Sequence, residues 1–467
     1  MIFTPVARHG GDALEVSKRL GLPIDSILDF SLNVNPYGPP ASVYEAIRNY
    51  VSHIRFYPER SYSRLKSAIS GFLGMEEECV IVGCGSTELI HSILARFVRD
   101  GPVVLPLPSF SEYEAAAAAL GLDIRFVNPA GLRVDLKSAL GIVEEGIANC
   151  VILCNPNNPT GELLDVRLVK ELIQSADERG IPLLLDEAYL DLCEGSESLT
   201  FAPAVKEFRN LFVLRSLTKP FGFPGLRVGY AVCSPDSARE FESTAMSWRV
   251  GVLEEAAAVS ALEERDFLQE SKKKIRSEKE KLIEGIGSIK GLRPVESKSN
   301  FMMVDISGAG LAPRNLRWRL LSYGVLVREL GSVRGLPGKF IRICVRKPEE
   351  NRFLLEALRN VINSLDKMHP HNVSCNEKKC HEKVDDCRLC FCPFYPCLDG
   401  ATGGAFVSRD NGGIVWGCKD CNWVHRTEVA DAVLDGLSRI NVRSDDPETI
   451  LNVRRGVLKA CPPRPTR

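Results

Sequence analysis

What this chain of 467 residues lacks removes several classes of function at the outset. It has almost no net charge: 59 lysines and arginines stand against 60 acidic residues, which removes the electrostatic argument for a dedicated nucleic-acid or polyanion binder. It has no run near the roughly 18–20 apolar residues of a membrane helix, and its opening, MIFTPVARHGGDALE, lacks the apolar core of a secretory leader. A cytoplasmic protein without membrane or nucleic-acid partners is therefore expected. There is no internal repeat, and no low-complexity segment beyond the short Ala115–Ala119 run. Hydrophobic residues at 45% and charged residues at 25% are ordinary globular values, so the main body can bury a core without disulfides or metals to hold it.

From about residue 79 short apolar runs alternate with amphipathic stretches, which predicts an α/β fold with a mostly parallel sheet. The predicted strands are Cys79–Val82, Val103–Leu105, Val151–Cys154, Pro182–Leu185, Leu211–Leu214 and Val228–Val232, with helices at Thr87–Arg99, Ser111–Leu120 and Val166–Arg179. One long charged stretch, Leu253–Ile286, leads to later strands at Phe301–Asp305 and Phe340–Val345, which suggest a smaller α+β domain. The expected organisation is an N-terminal arm over 1–45, a large domain over 46–250, a small one over 251–367, a linker near 368–374, and a cysteine-rich tail over 375–467.

In open α/β sheets ligands bind beyond the carboxyl ends of the strands, and four such ends here carry unusual chemistry. The first runs into Gly83-Cys84-Gly85-Ser86-Thr87-Glu88, where glycines before a helix let backbone N–H groups and two hydroxyls approach a phosphate. A plain helix cap reads the same way. The third ends in Asn155-Pro156-Asn157-Asn158-Pro159-Thr160-Gly161, more special residues than a simple turn requires. The fourth delivers Asp186, Glu187 and Tyr189, and a carboxylate at the tip of a buried strand is costly unless it meets a cation or donors. The fifth ends in Arg215-Ser216-Leu217-Thr218-Lys219, with Arg227 eight residues after the lysine.

Together these motifs resemble the fold-type I pyridoxal-phosphate enzymes of the aspartate aminotransferase superfamily, over roughly residues 1–365. The resemblance implies that Lys219 bonds the cofactor aldehyde and that Asp186 pairs with the pyridinium nitrogen. Asn158 and Tyr189 would then reach the phenolic oxygen. Gly85, Ser86, Thr87, Ser216 and Arg227 would surround the cofactor phosphate, and Phe110 would stack on the ring. Tyr57, in Phe56-Tyr57-Pro58, would reach the phosphate of a neighbouring subunit, implying a homodimer with shared sites. Arg342, in Phe340-Ile341-Arg342-Ile343-Cys344-Val345-Arg346, matches the arginine that holds a substrate α-carboxylate.

A narrower resemblance concerns the substrate. His9-Gly10-Gly11 and the segment Leu28-Asp29-Phe30-Ser31-Leu32-Asn33-Val34-Asn35-Pro36-Tyr37-Gly38-Pro39-Pro40 are similar to the opening of L-threonine-O-3-phosphate decarboxylases. Those enzymes make aminopropanol phosphate for the nucleotide loop of cobalamin. The resemblance implies a phosphorylated amino acid as substrate, with His9, Asn33, Arg328 and Arg346 around its phosphate. Histidinol-phosphate aminotransferases share the cofactor residues and are the alternative. A pyridoxal-phosphate-binding regulator is a third reading, and neither a strongly basic tail nor a helix-turn-helix pattern supports it.

The cysteines divide sharply. Seven lie scattered in the first 374 residues, mostly in apolar runs, where a buried small hydrophobe accounts for them. Eight more fall within 375–421. Cys387-x2-Cys390-x-Cys392-x4-Cys397, then Cys418-x2-Cys421-x3-His425, has the hook spacing of a metal site, and Cys375, Cys380 and His381 extend the ligand set. Two zinc sites, or an iron–sulfur cluster beside a zinc, would both be served. A docking or stability module is expected of this tail. A regulatory role, or a threonine kinase supplying the phosphorylated substrate, is a further possibility. Neither a Gly-x4-Gly-Lys-Ser/Thr loop nor a kinase-type glycine-rich loop supports the kinase.

Overall fold

The computed structural model describes residues 10–20, 22–365, 394, 397–398, 400–408, 414–417, 423–440 and 447–463. Its centre is a seven-stranded sheet: β1 (Val80–Gly83), β2 (Val103–Pro106), β3 (Ile124–Val127), β4 (Cys150–Cys154), β5 (Leu183–Asp186), β6 (Leu211–Ser216) and β7 (Gly229–Val232). The spatial order is β1-β7-β6-β5-β4-β2-β3, and only β7 runs against its neighbours. Period-two alternation splits the central strands between two cores. Val151, Leu153, Leu183, Leu185 and Val213 face one, and Cys150, Ile152, Leu184, Phe212 and Leu214 the other. A sheet buried on both faces needs the near-continuous apolar runs that made these strands legible. Edge strand β3, absent from the expected set, carries the exposed Arg125 and is only partly buried, so its run is short and interrupted.

The stretch Leu253–Ile286 is two helices rather than one element. Val252–Glu263 ends where Glu264 leaves helical geometry (ψ 55°), and Arg265–Gly287 begins beyond it. The first is alanine-rich and buries Ala256, Ala257 and Ala258 against the helices Ala41–Tyr50 and Ser63–Leu73; the second keeps its charged face in water.

A second, antiparallel sheet contains β8 (Arg293–Pro294), β9 (Phe301–Asp305), β10 (Arg328–Glu329) and β11 (Phe340–Cys344), in the order β10-β11-β9-β8. Leu28 and Asp29 pair in parallel with Val325 and Leu326, which ties the N-terminal arm to the chain just before β10. The described part of the tail has a hairpin, Ala405–Ser408 with Ile414–Gly417, and helices Thr427–Ser438 and Pro447–Ala460. It packs onto the body: Trp416, Trp423, Val429, Val433 and Leu451 share one apolar cluster with Val16, Trp318, Leu321 and Leu326. The backbone N–H of Trp416 donates to the Ser322 carbonyl at 2.6 Å beside this cluster. Among the described residues no helix is long and apolar enough to cross a membrane.

Candidate active site

A cavity of about 900 Å³ opens where β4, β5 and β6 end and where β10 and β11 face them. Its first wall is an anion cradle. The helix Gly85–Phe97 starts directly after β1 and points its N-terminus inward, with Ser86 and Thr87 on the lining. Gly85 is left-handed (φ +79°), and a Cβ there would come within 2.6 Å of Arg227 Nη2. A Cβ on Gly229 would come within 2.8 Å of the Ser86 nitrogen. Both glycines are thus required by close approach, and that approach brings Arg227 to the helix end. Ser216 and Thr218 line the same wall, with their hydroxyls 2.9 Å apart.

The second group sits on the strand tips. Asp186 ends β5 in a fully enclosed position, where burial raises its carboxyl above the ordinary range. Two donors oppose that: Tyr113 O–H gives to Oδ2 at 2.7 Å, and the Ala188 N–H gives to Oδ1 at 2.9 Å. Lys219 follows β6 into the cavity, and its ammonium is held down to about 8 by burial and by the positive Arg342 and Arg227. Phe110 lines the cavity and meets Tyr113 edge-to-face at 5.6 Å. The asparagine-proline loop divides its labour. Asn155 Oδ1 accepts from the Leu164 N–H and Asn157 Nδ2 donates to the Pro108 carbonyl, so these two build the loop, while Asn158 lines the cavity. Asn158 Nδ2 donates to the Tyr189 hydroxyl at 3.4 Å, and its Oδ1 accepts from Arg342. Burial pushes the Tyr189 hydroxyl up to about 12, against the pull of Arg342.

The third wall is cationic. Arg328 and Arg342 are directly opposed partners across the antiparallel β10–β11 pair, so both side chains leave the same face of the sheet. Burial and then the neighbouring Arg342 hold Arg328 down to about 10, and burial lowers Arg342 as well. Arg342 Nη2 donates to the Ser31 carbonyl at 3.0 Å. Asn33 and Gly10 complete this side, whereas His9 lies outside the described residues.

One expected residue is elsewhere, and Tyr57, expected at a neighbouring subunit, is also outside this cavity. Arg346 does not line the cavity: its Nη1 donates to the Asp29 carbonyl and its Nη2 pairs with Glu350 at 2.7 Å. The chain leaves the sheet after Cys344 and enters the helix Pro348–Leu365, whose first-turn glutamate captures the arginine. Tyr57 is 78% exposed and stacks on Trp248 at 4.6 Å, outside the cavity of its own chain. Of the expected metal ligands, Cys375, Cys380, His381, Cys387, Cys390, Cys392, Cys418 and Cys421 lie outside the described residues, and Cys397 is buried in the tail's apolar cluster. His425 closes the short turn Trp423–His425. The sequence reading missed Tyr113 and the segment Leu330–Arg334, which also lines the cavity. An aromatic residue three positions after Phe110, in the first turn of a helix, was the available signal for Tyr113.

The residues present fit pyridoxal phosphate on chemical grounds: an anion cradle, a buried carboxylate and an amine of lowered basicity all line one cavity. Among the described residues both amide atoms of the buried Asn33 and the Nε of Arg342 have no hydrogen-bond partner. Both residues line the cavity, so these atoms are available to a bound ligand there.

Comparison with known proteins gives the same class. The Aminotransferase class I and II family matches residues 25–358, and the chain belongs to that family. A second family, described as a cysteine-rich small domain, matches residues 367–446. Histidinol-phosphate aminotransferase 2 of Archaeoglobus fulgidus is 36% identical over 340 residues, 73% of this chain and 94% of that protein. Threonine-phosphate decarboxylase of Salmonella typhimurium is 31% identical over 366 residues, 76% and 97% of the respective chains. Among solved structures, the histidinol-phosphate aminotransferase of Sinorhizobium meliloti in complex with pyridoxal-5'-phosphate superposes with a TM-score of 0.70 at 27% identity, covering 78% of this chain and 98% of that one. The fold is that of the fold-type I pyridoxal-phosphate aminotransferases, with the cysteine-rich C-terminal module added.

Proposed function

We propose that this protein is a pyridoxal-phosphate-dependent decarboxylase of L-threonine O-3-phosphate, producing (R)-1-aminopropan-2-yl phosphate and carbon dioxide for cobalamin nucleotide-loop assembly. The observation that carries the reading is the opposed pair Arg328 and Arg342. Two buried guanidinium groups on one face suit a small molecule with two anionic groups close together, and threonine phosphate has a carboxylate and a phosphate on a four-carbon frame. Histidinol phosphate carries one anionic group, although glutamate, the amino donor of that reaction, carries two, so the pair supports the decarboxylase without excluding the aminotransferase. The aminotransferase reading remains the second one, because the Archaeoglobus relative carries that name at 36% identity.

Ser86, Thr87, Ser216 and Arg227, with Gly85 leaving room, would hold the cofactor phosphate, and Asp186 its ring nitrogen. Phe110 would lie on its face, and Asn158 and Tyr189 would donate to its phenolic oxygen. Bound there, the cofactor supplies an electron sink for the pair left at Cα when a bond to that carbon breaks. The chain's residues then decide which bond that is. Arg342 orients the carboxylate, and it must hold direction without holding the ground state more tightly than the transition state. Arg328 and Asn33 anchor the phosphate and fix the rotation of the substrate about its amine. Lys219 Nζ, with its lowered basicity, is suited to deliver a proton to Cα in place of the departed carboxylate. Tyr57, exposed on its own chain, is assigned to the partner's cofactor phosphate in a homodimer. The cysteine-rich module is read as a metal-stapled docking element, in keeping with its apolar seat on the body.

The test is product analysis with purified, cofactor-loaded protein and L-threonine O-3-phosphate without any keto acid. Equal amounts of carbon dioxide and aminopropanol phosphate are expected. No decarboxylation, together with amino transfer from glutamate to imidazole acetol phosphate, would move the protein to the second reading.

A further inference from the structure

Asp186 is not held by its strand alone. Tyr113, from the first turn of the helix Ser111–Ala119, lies 73 residues away in the chain and is 1% exposed. A hydroxyl buried that deeply needs a partner, and its partner is Asp186 Oδ2. The backbone N–H of Ala188 takes Oδ1. Two donors from different elements therefore fix the plane of the carboxylate of Asp186, which lines the cavity. The Tyr113 ring also stands edge-to-face against Phe110, with ring planes at 86°. One side chain thus touches both the carboxylate at the cavity floor and the aromatic face beside it.

We propose that Tyr113 is a positioning residue: it aims the Asp186 carboxylate at the ring nitrogen of the bound cofactor and braces Phe110 in the stacking position. The inference rests on the pyridoxal-phosphate reading above and extends it to a residue outside the expected set. The reasoning is energetic. A carboxylate in this enclosed position is penalised by burial, and each donated hydrogen bond favours its charged form. Tyr113→Phe keeps the ring, and hence the packing against Phe110, while removing the donor. Burial then acts against one fewer hydrogen bond, so the carboxyl moves further up and ionises less readily.

The experiment measures equilibrium dissociation of pyridoxal phosphate and the pH titration of its visible absorbance in wild type, Tyr113→Phe and Phe110→Leu. In Tyr113→Phe the dissociation constant should rise about tenfold, the effect of one pKa unit on a carboxylate that must be ionised to hold the ring nitrogen, and the acid limb of the titration should move to higher pH. Phe110→Leu should weaken binding and leave the acid limb in place. A double-mutant cycle guards against a general loss of structure: in an Asp186→Asn background, adding Tyr113→Phe should change the dissociation constant less than about twofold. Superimposable titrations and equal dissociation constants for wild type and Tyr113→Phe overturn the assignment, as does an equal effect of the substitution in both backgrounds. Wild type that takes up no pyridoxal phosphate overturns the proposed function itself, a result distinct from either of these.

Discussion

The lowered basicity of Lys219 gives the sharpest test of the site, because it predicts how the empty protein captures its cofactor. An amine of ordinary pKa 10.5 is brought to about 8 by burial first and then by the positive charges of Arg342 and Arg227, while Asp186 pulls the other way. Only the neutral amine attacks an aldehyde. At pH 7 the neutral fraction is about one in ten for a pKa near 8, against about one in three thousand for an unperturbed lysine, so the site gains roughly 300-fold in competent nucleophile. Mixing cofactor-free protein with pyridoxal phosphate in a stopped-flow instrument should show a capture rate that climbs with pH and levels above about 8. Arg342→Gln removes a positive neighbour and should move that midpoint up; Asp186→Asn removes the opposing charge and should move it down. Lys219→Ala should give no lysine-bound absorbance and no turnover. A rate that keeps rising toward pH 10.5, or variants that move the midpoint in the opposite directions, would refute the electrostatic reasoning.

Arg215→Met should be strongly destabilising, by about 3–5 kcal/mol, because it strands the buried carboxylates of Glu187 and Asp191. The deficit in thermal unfolding should shrink as pH falls and the Glu187 carboxyl, raised by burial, becomes neutral; a pH-independent deficit would count against the charge argument. Tyr57→Ala should leave the fold of its own chain unchanged, since the side chain is exposed, yet weaken cofactor retention in a dimer seen by sedimentation velocity. Cys418→Ser or Cys421→Ser should lower the metal content of anaerobically purified protein, measured by mass spectrometry; metal-free wild type would end the metal reading.

The sequence made the strand tips legible because a strand buried on both faces is a run of apolar residues, and whatever polar residue follows must lie at its end. Asp186 and Lys219 could be placed at a common edge for that reason. It could not separate residues of one type within a motif. Asn155, Asn157 and Asn158 look alike to local patterning, and the family resemblance alone singled out Asn158; in the fold the other two bind backbone groups while Asn158 faces the cavity. Arg342 and Arg346 are the same case: four positions apart, one leaves the sheet face and the other is taken by Glu350. Tyr113 had only its place three residues after Phe110 to mark it, because its meaning lies in a partner 73 residues away. The seating of the tail on Trp318 and Leu321 depends on contacts between distant segments, which local periodicity does not carry.

The same charges that serve the ligands work against the empty fold. Arg328, Arg342 and Lys219 all lie where burial lowers the basicity of a cation, and the positive Arg342 depresses both Arg328 and Lys219 further, with Glu329 and Asp12 partly offsetting this at Arg328. Such crowding costs stability until anions enter, which is a common trade at functional sites. Replacing Arg328 by Gln should therefore impair turnover of the phosphorylated substrate while raising the melting temperature of the cofactor-free protein. Inorganic phosphate should raise the melting temperature of wild type by mass action and raise that of Arg328→Gln less. If Arg328→Gln instead melts lower than wild type without ligand, the arginine is holding the scaffold together, and the assignment of this wall to a substrate anion loses its physical basis.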